Sequence, residues 1–178
     1  MDQVQWALGM DEAGPLEVWA EGGKLTPPRQ TEPGPGYNKA CSVPKVFFRY
    51  PGDIVMELGS GPAGGVVFVG EKGTITVDRG KVKSDPAEIA EEALKNASKA
   101  GESHRANWAT CIKSRARPVA DVETGHRSAT VCHLGNIARW LGRKLRWDPA
   151  KEEFPDDAEA NAYLDRPRRK PYEIPETL

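Results

Sequence analysis

No two cysteines in this sequence stand at a motif spacing. The three present, Cys41, Cys111 and Cys132, are odd in number and form no C-x-x-C pair. That excludes a disulfide framework and makes a reducing, cytoplasmic compartment the expectation. An excess of charge of one sign is also missing. The 25 Lys and Arg against 26 Asp and Glu give a formal net charge of −1, so there is no electrostatic case for nucleic acid or an anionic membrane surface. No apolar run approaches the ~20 residues of a membrane-spanning helix. The first residues are acidic and polar, unlike a secretory signal. Nucleic acid and membrane are therefore not expected as partners.

Hydrophobic residues make up only 38% of the chain, whereas there are 18 Gly and 15 Pro. This balance describes a compact centre with long surface loops. A chain of 178 residues is expected to form a single domain, residues 1–178, large enough to bury a core without staples.

The longest periodic stretch is Asp121 to Pro149. Thr130, Leu134, Ile137, Ala138, Leu141 and Leu145 draw one apolar stripe at helical spacing, with Arg127, Asn136, Arg139 and Arg143 mostly off it. Asp121 or Thr124 can cap its start, and Asp148-Pro149 is its expected end. Upstream, Asp2 to Leu8 reads as a short helix that starts abruptly. Leu16 to Glu21 alternates apolar and polar residues, as a half-buried strand does. Residues 22–43 hold four prolines and several glycines, which predicts a long Pro/Gly loop. Strands are expected over 45–50, 54–58, 66–69 and 74–77, with Val82 as a short extension. Turns this short cannot hold crossovers, so the strands must run as an antiparallel meander. Helices follow from Asp85-Pro86 to about Ala97 and from His104 to about Arg115, the latter capped by Ser103. A short helix from Asp157 and an extended, basic tail over 165–178 complete the chain. Strands followed by helices predict an α+β fold: an open antiparallel sheet with helices packed on one face.

Gly59 to Gly64 reproduces G-x-G-x-x-G, with Asp78 about twenty residues on, as in a dinucleotide site. The context argues against that reading. A pyrophosphate needs a helix N-terminus next, and Val66-Val67-Phe68-Val69 is a strand. The glycines are better explained as a hairpin connection. His126, Cys132 and His133 do not make a metal site, because adjacent Cys132 and His133 point about 100° apart on a helix. Cys111 and Cys132 read instead as small apolar residues under the sheet, and His104 as a packed histidine beside Trp108. The polar residues best placed for a ligand are His126 and Arg127, in the first turns of the long helix, and Asn38, beside Tyr37 in the Pro/Gly loop. No spacing defines a catalytic set or a general acid/base pair, so no catalytic residue and no metal ligand is expected.

Five segments resemble one family. They are MDQVQWALGMDEAGPLEVWAEG, GVVFVGEKGTITVDRG, HRANWATCIKSRARP, DVETGHRSATVCHLGNIARWLGRKLRWDP and FPDDAEANAYLDRPRRKPY. They are similar to the C-terminal half of bacterial Gfo/Idh/MocA-family oxidoreductases, relatives of glucose–fructose oxidoreductase and inositol dehydrogenase. The resemblance implies an open antiparallel sheet whose bare face makes subunit contacts and which borders the substrate pocket. It also implies NAD or NADP as the cofactor of an intact enzyme. The nucleotide-binding Rossmann domain, its glycine loop and its Glu-Lys-Pro lysine have no counterpart in these residues. The family's His-x-Asp histidine would fall one residue before Met1, so no family catalytic residue carries over. The expectation is a substrate-side and oligomerisation domain for a sugar or cyclitol oxidoreductase, with no cofactor in this chain and no turnover alone. Its expected partners are further copies through the open sheet face, or a separate Rossmann-domain chain. The rival expectations are a non-catalytic oligomerisation module and a small carbohydrate-binding protein using the 22–43 loop.

Overall fold

A computed structural model describes residues 1–22, 45–58, 65–78, 80–95, 103–165 and 168–173. The fold is α+β, and every strand pairing recorded among the described residues is antiparallel. The order is α1 (Asp2–Ala7), β1 (Glu17–Glu21), β2 (Lys45–Arg49), a 3-10 turn (Pro51–Asp53), β3 (Val55–Leu58), β4 (Val66–Gly70), β5 (Gly73–Asp78), β6 (Lys81–Asp85), α2 (Glu88–Lys95), α3 (His104–Ser114), α4 (Val122–Leu141), β7 (Leu145–Arg146) and α5 (Ala158–Asn161). The strands form two sheets, a four-stranded one ordered β3-β2-β1-β7 and a three-stranded one ordered β4-β5-β6. The chain divides into two compact units, one of residues 1–14 and 58–132, the other of residues 15–57 and 133–178.

In the second unit the core is the inner face of the four-stranded sheet. Side chains alternate across a strand, and Val18, Val46 and Phe48 all point inward and are fully buried. The second half of α4 covers them with Leu134, Ile137 and Ala138, which are equally buried. Gly135 makes this close approach possible. A Cβ there would meet the Phe48 ring at 3.0 Å and Val46 Cγ1 at 3.5 Å.

The long helix ends earlier than its apolar stripe predicts. Gly142 takes a left-handed φ of 66° and donates its N–H to the Ala138 carbonyl at 2.8 Å, a glycine stop of the usual kind. Leu145 then leaves the helix and pairs with Val18 as β7. It still buries, so the periodic pattern was right about its burial and wrong about its backbone. Trp147 and Phe154 pack edge-to-face at 4.9 Å in the same core. Arg143, at the C-terminal end of α4, grips Asp157 with both guanidinium nitrogens and reaches Glu159 at 3.0 Å. Asp157 also caps α5 by accepting the Ala160 N–H at 3.1 Å.

In the first unit β4, β5 and β6 pair with Phe68 opposite Ile75 and Ile75 opposite Ser84. Ser84 Oγ accepts the Ala90 N–H at 2.8 Å, which ties the start of α2 to β6. The helix is described as far as Lys95; its expected end at about Ala97 lies outside the described residues. Ser103 caps α3 as expected, and Arg115 closes it in a left-handed conformation. Most of the 22–43 loop, and residues 166, 167 and 174–178 of the tail, also lie outside the described residues. In residues 168–173 the tail makes a turn, with the Tyr172 N–H donating to the Arg169 carbonyl at 2.8 Å.

Two stability outcomes follow from these contacts. Gly135→Leu forces a branched side chain into the Phe48 ring and is expected to cost about 1–3 kcal/mol, measured by urea unfolding. The Asp157 carboxyl is held below its usual range, first by the Arg143 hydrogen bonds and then by the Ala160 N–H. A carboxyl lowered on folding stabilises above its unfolded value and loses that contribution as pH falls through its folded value. Asp157→Ala is therefore expected to remove about 1–2 kcal/mol at neutral pH, from cap and partly exposed ion pair together, and almost nothing in strong acid.

Candidate functional site

The described residues contain a cleft of about 400 Å³ in the first unit. One wall is the turn after α1, which presents Asp11 and Glu12. Gln5 sets that turn. It is 1% exposed, and its Nε2 donates to the carbonyls of Met10 at 2.9 Å and Ala13 at 3.1 Å. A buried amide that closes a turn in this way is not visible in helical periodicity, which would set the apolar Val4, Ala7 and Leu8 on the inner side. Only Val4 of those three is buried.

The opposite wall is the loop between α3 and α4, with Arg117, Pro118, Val119 and Asp121, followed by Thr124 on the first turn of α4. Asn107 of α3 fixes that loop, its Oδ1 accepting the Val119 N–H at 3.0 Å. Arg117 spans the cleft. One nitrogen donates to Glu12 at 3.1 Å and another to Asp121 at 3.1 Å. The Glu12 hydrogen bond and the Asp121 charge push the Arg117 guanidinium above its ordinary value, so it stays cationic throughout. Asp121 is held below the usual carboxylate range, first because it accepts the Glu123 N–H at 2.9 Å as the cap of α4, then by Arg117. The cleft thus offers a fixed guanidinium, carboxyl groups and a threonine hydroxyl. These are donors and acceptors suited to a molecule rich in hydroxyl groups.

Neither of the two described ligand candidates from the sequence lines this cleft. His126 is exposed on α4, two residues after Thr124, and does not line the cleft. Arg127 binds Glu123 at 2.7 Å and also lies off its lining. Asn38 falls outside the described residues. Two packing expectations fail. Cys132 is exposed, with its thiol on the Ser128 carbonyl at 3.5 Å, whereas Cys111 is buried. His104 is exposed, as is its neighbour Trp108 at 63%. Both residues face outward because α3 buries only Cys111. Arg117, Glu12 and Asn107 were not picked out. Arg117 and Glu12 are 105 residues apart in sequence, a separation that no local pattern records. Asp121 was picked out, but only as a helix cap.

Among the described residues, no group of three or more His, Cys, Asp and Glu could hold a metal ion, and no helix is long and apolar enough to cross a membrane.

A family model described as the oxidoreductase-family C-terminal alpha/beta domain, of the Gfo/Idh/MocA group, matches residues 1–174. The chain belongs to the Gfo/Idh/MocA oxidoreductase family. No curated protein and no solved structure matches it. Oxidoreductases of this kind depend typically on a nucleotide cofactor, and the context of the glycine run does not fit a dinucleotide site. The Gly59–Gly64 run itself lies outside them, but the chain leaves it into β4, a strand. A dinucleotide pyrophosphate takes a helix N-terminus at that point.

Asp121→Ala removes both the cap of α4 and one arm of the Arg117 bridge. It is expected to cost about 1 kcal/mol in thermal or urea unfolding, whereas Glu12→Ala, at an exposed pair, is expected to cost less than half of that.

Proposed function

We propose that residues 1–178 serve as the substrate-side and assembly domain of an NAD(P)-dependent sugar or cyclitol oxidoreductase. The Arg117 cleft contributes polar contacts to the substrate. The family assignment supports the reaction class. The observation that carries the substrate reading is Arg117 held between Glu12 and Asp121 across an open cleft. Hydride transfer and its proton relay belong to residues outside 1–178, in a nucleotide-binding domain supplied in the same polypeptide or by a separate chain. In this reading His126, exposed on the first turns of α4, Arg127 and Asn38 serve as further substrate contacts of the intact enzyme. The outer face of the β3-β2-β1-β7 sheet is the assembly surface, because it carries exposed Val55 and partly exposed Trp19 and Phe47. The compartment is cytoplasmic.

Calorimetric titration of the pure chain with NADH is expected to show no micromolar binding. Glucose and myo-inositol are expected to raise its melting temperature, and Arg117→Ala to abolish that rise. Micromolar NADH binding, or an equal sugar-induced shift in the variant, would overturn the reading.

A further inference from the structure

The cleft of the first unit carries more acidic than basic groups. Its lining holds three carboxyl groups, Asp11, Glu12 and Asp121, against one guanidinium, Arg117, a formal excess of two negative charges. The three acids are not equivalent. Arg117 divides itself between Glu12 and Asp121, at 3.1 Å to each, so its charge is offset from both walls before any ligand arrives. It takes only Oε1 of Glu12 and Oδ1 of Asp121. Asp11 stands beside Glu12 on the same turn, half-buried, with no ion pair or side-chain hydrogen bond among the described residues. The turn that carries it is fixed, because the Gln5 amide holds the carbonyls of Met10 and Ala13 on either side. Gly9, at the near end of that turn, also lines the cleft. A Cβ built there would meet nothing within 4 Å, so the space beside Asp11 is open. No group of three or more described acids could hold a metal ion. The cation that answers this excess is therefore organic.

We propose that the cleft selects sugars or cyclitols that bear an amino group, with Asp11 receiving the ammonium. The inference rests on the reading of the cleft as a substrate site and adds its specificity. An ammonium is a donor only, and a carboxyl is its natural acceptor. The pair makes a charge-assisted hydrogen bond, stronger than one between neutral groups. The ring hydroxyls beside the amine donate to the oxygens of Glu12 and Asp121 that Arg117 leaves free, and the Thr124 hydroxyl adds one more partner. A sugar acid or sugar phosphate is disfavoured in the same place. Its anion meets a guanidinium already paired twice and an unpaired acid beside it, like charge against like. The groups are partly exposed, with the Arg117 side chain at 53%. The discrimination is therefore moderate, about 3- to 5-fold per charge, and it falls as salt is added.

The test is a chemical-shift titration of the isotopically labelled chain with glucose, glucosamine and glucuronate at low salt, with circular dichroism confirming each fold. At about pH 6 an amine of this kind is protonated, so the three ligands present one ring frame with three charges. Glucosamine is expected to bind about 3- to 5-fold more tightly than glucose, with the largest shifts at Asp11 and Glu12, and glucuronate more weakly than either. Asp11→Asn keeps the shape and removes the charge, and is expected to erase the difference between glucosamine and glucose. Asp11→Lys is expected to reverse the order in favour of glucuronate. Should these variants lose their fold, N-acetylglucosamine makes the same comparison on the wild type, since its nitrogen is neutral, and it is expected to bind no more tightly than glucose. Equal affinity for all three sugars, with Arg117→Ala still abolishing binding, would overturn the ammonium preference and leave the substrate reading standing. A glucosamine preference that survives in Asp11→Asn, or that N-acetylglucosamine shares, would overturn it in the same way. No shift with any of the sugars would overturn both.

Discussion

The backbone of α4 lies directly on the inner face of the four-stranded sheet, and the rest of the second unit depends on that approach. With no side chain at Gly135, the helix comes close enough for the Phe48 ring to fill the space a Cβ would take. Interiors are packed to near-crystalline density, so this contact fixes where Leu134, Ile137 and Ala138 can sit. It also determines which residues of β1 and β2 must be apolar. Val18, Val46 and Phe48 are fully buried, and their neighbours on the other face are released from that constraint.

Most of the fold was legible because it rests on short-range periodicity. Alternation located β1, short strand-like runs between tight turns located β2, β3, β4 and β5, and the helical stripe located the buried face of α4. The misreading of its end came from trusting the stripe over its punctuation. Leu145 continues the spacing of Leu134 and Leu141, yet Gly142 is the αL residue that stops the helix. Both backbone solutions bury Leu145 on the same core, so burial alone could not distinguish them. Arg139 shows the converse. It was placed off the stripe, yet it is 5% exposed, because a broad helix face against a sheet encloses residues at its margin.

The cleft was legible in its ingredients and not in its assembly. Asp121 was recognisable as a cap from its place before a periodic run. Nothing local joins it to Glu12. That connection passes through Arg117, and it depends on two loops, one shaped by the Gln5 amide and the other by the Asn107 carbonyl. Polar residues that hold loops in position carry no period, so they are the part of a site that single-sequence reading misses.

The two faces of the four-stranded sheet obey different rules, and this explains where its chemistry lies. The inner face is fixed by contact with α4, where a change of volume costs stability. The outer face is limited only by the cross-strand neighbours that each strand imposes. A solvated face would be served by any mixture of polar residues. Here opposite charges are neighbours in register across β7, β1 and β2, and an aromatic pair stands between two such rows. A large aromatic on a free sheet surface gains little from water, whereas across an interface it buries a substantial area at low entropic cost. The same period that hides Val18 therefore also sets Glu17 and Trp19 on the opposite face, in register with Arg49 and Phe47.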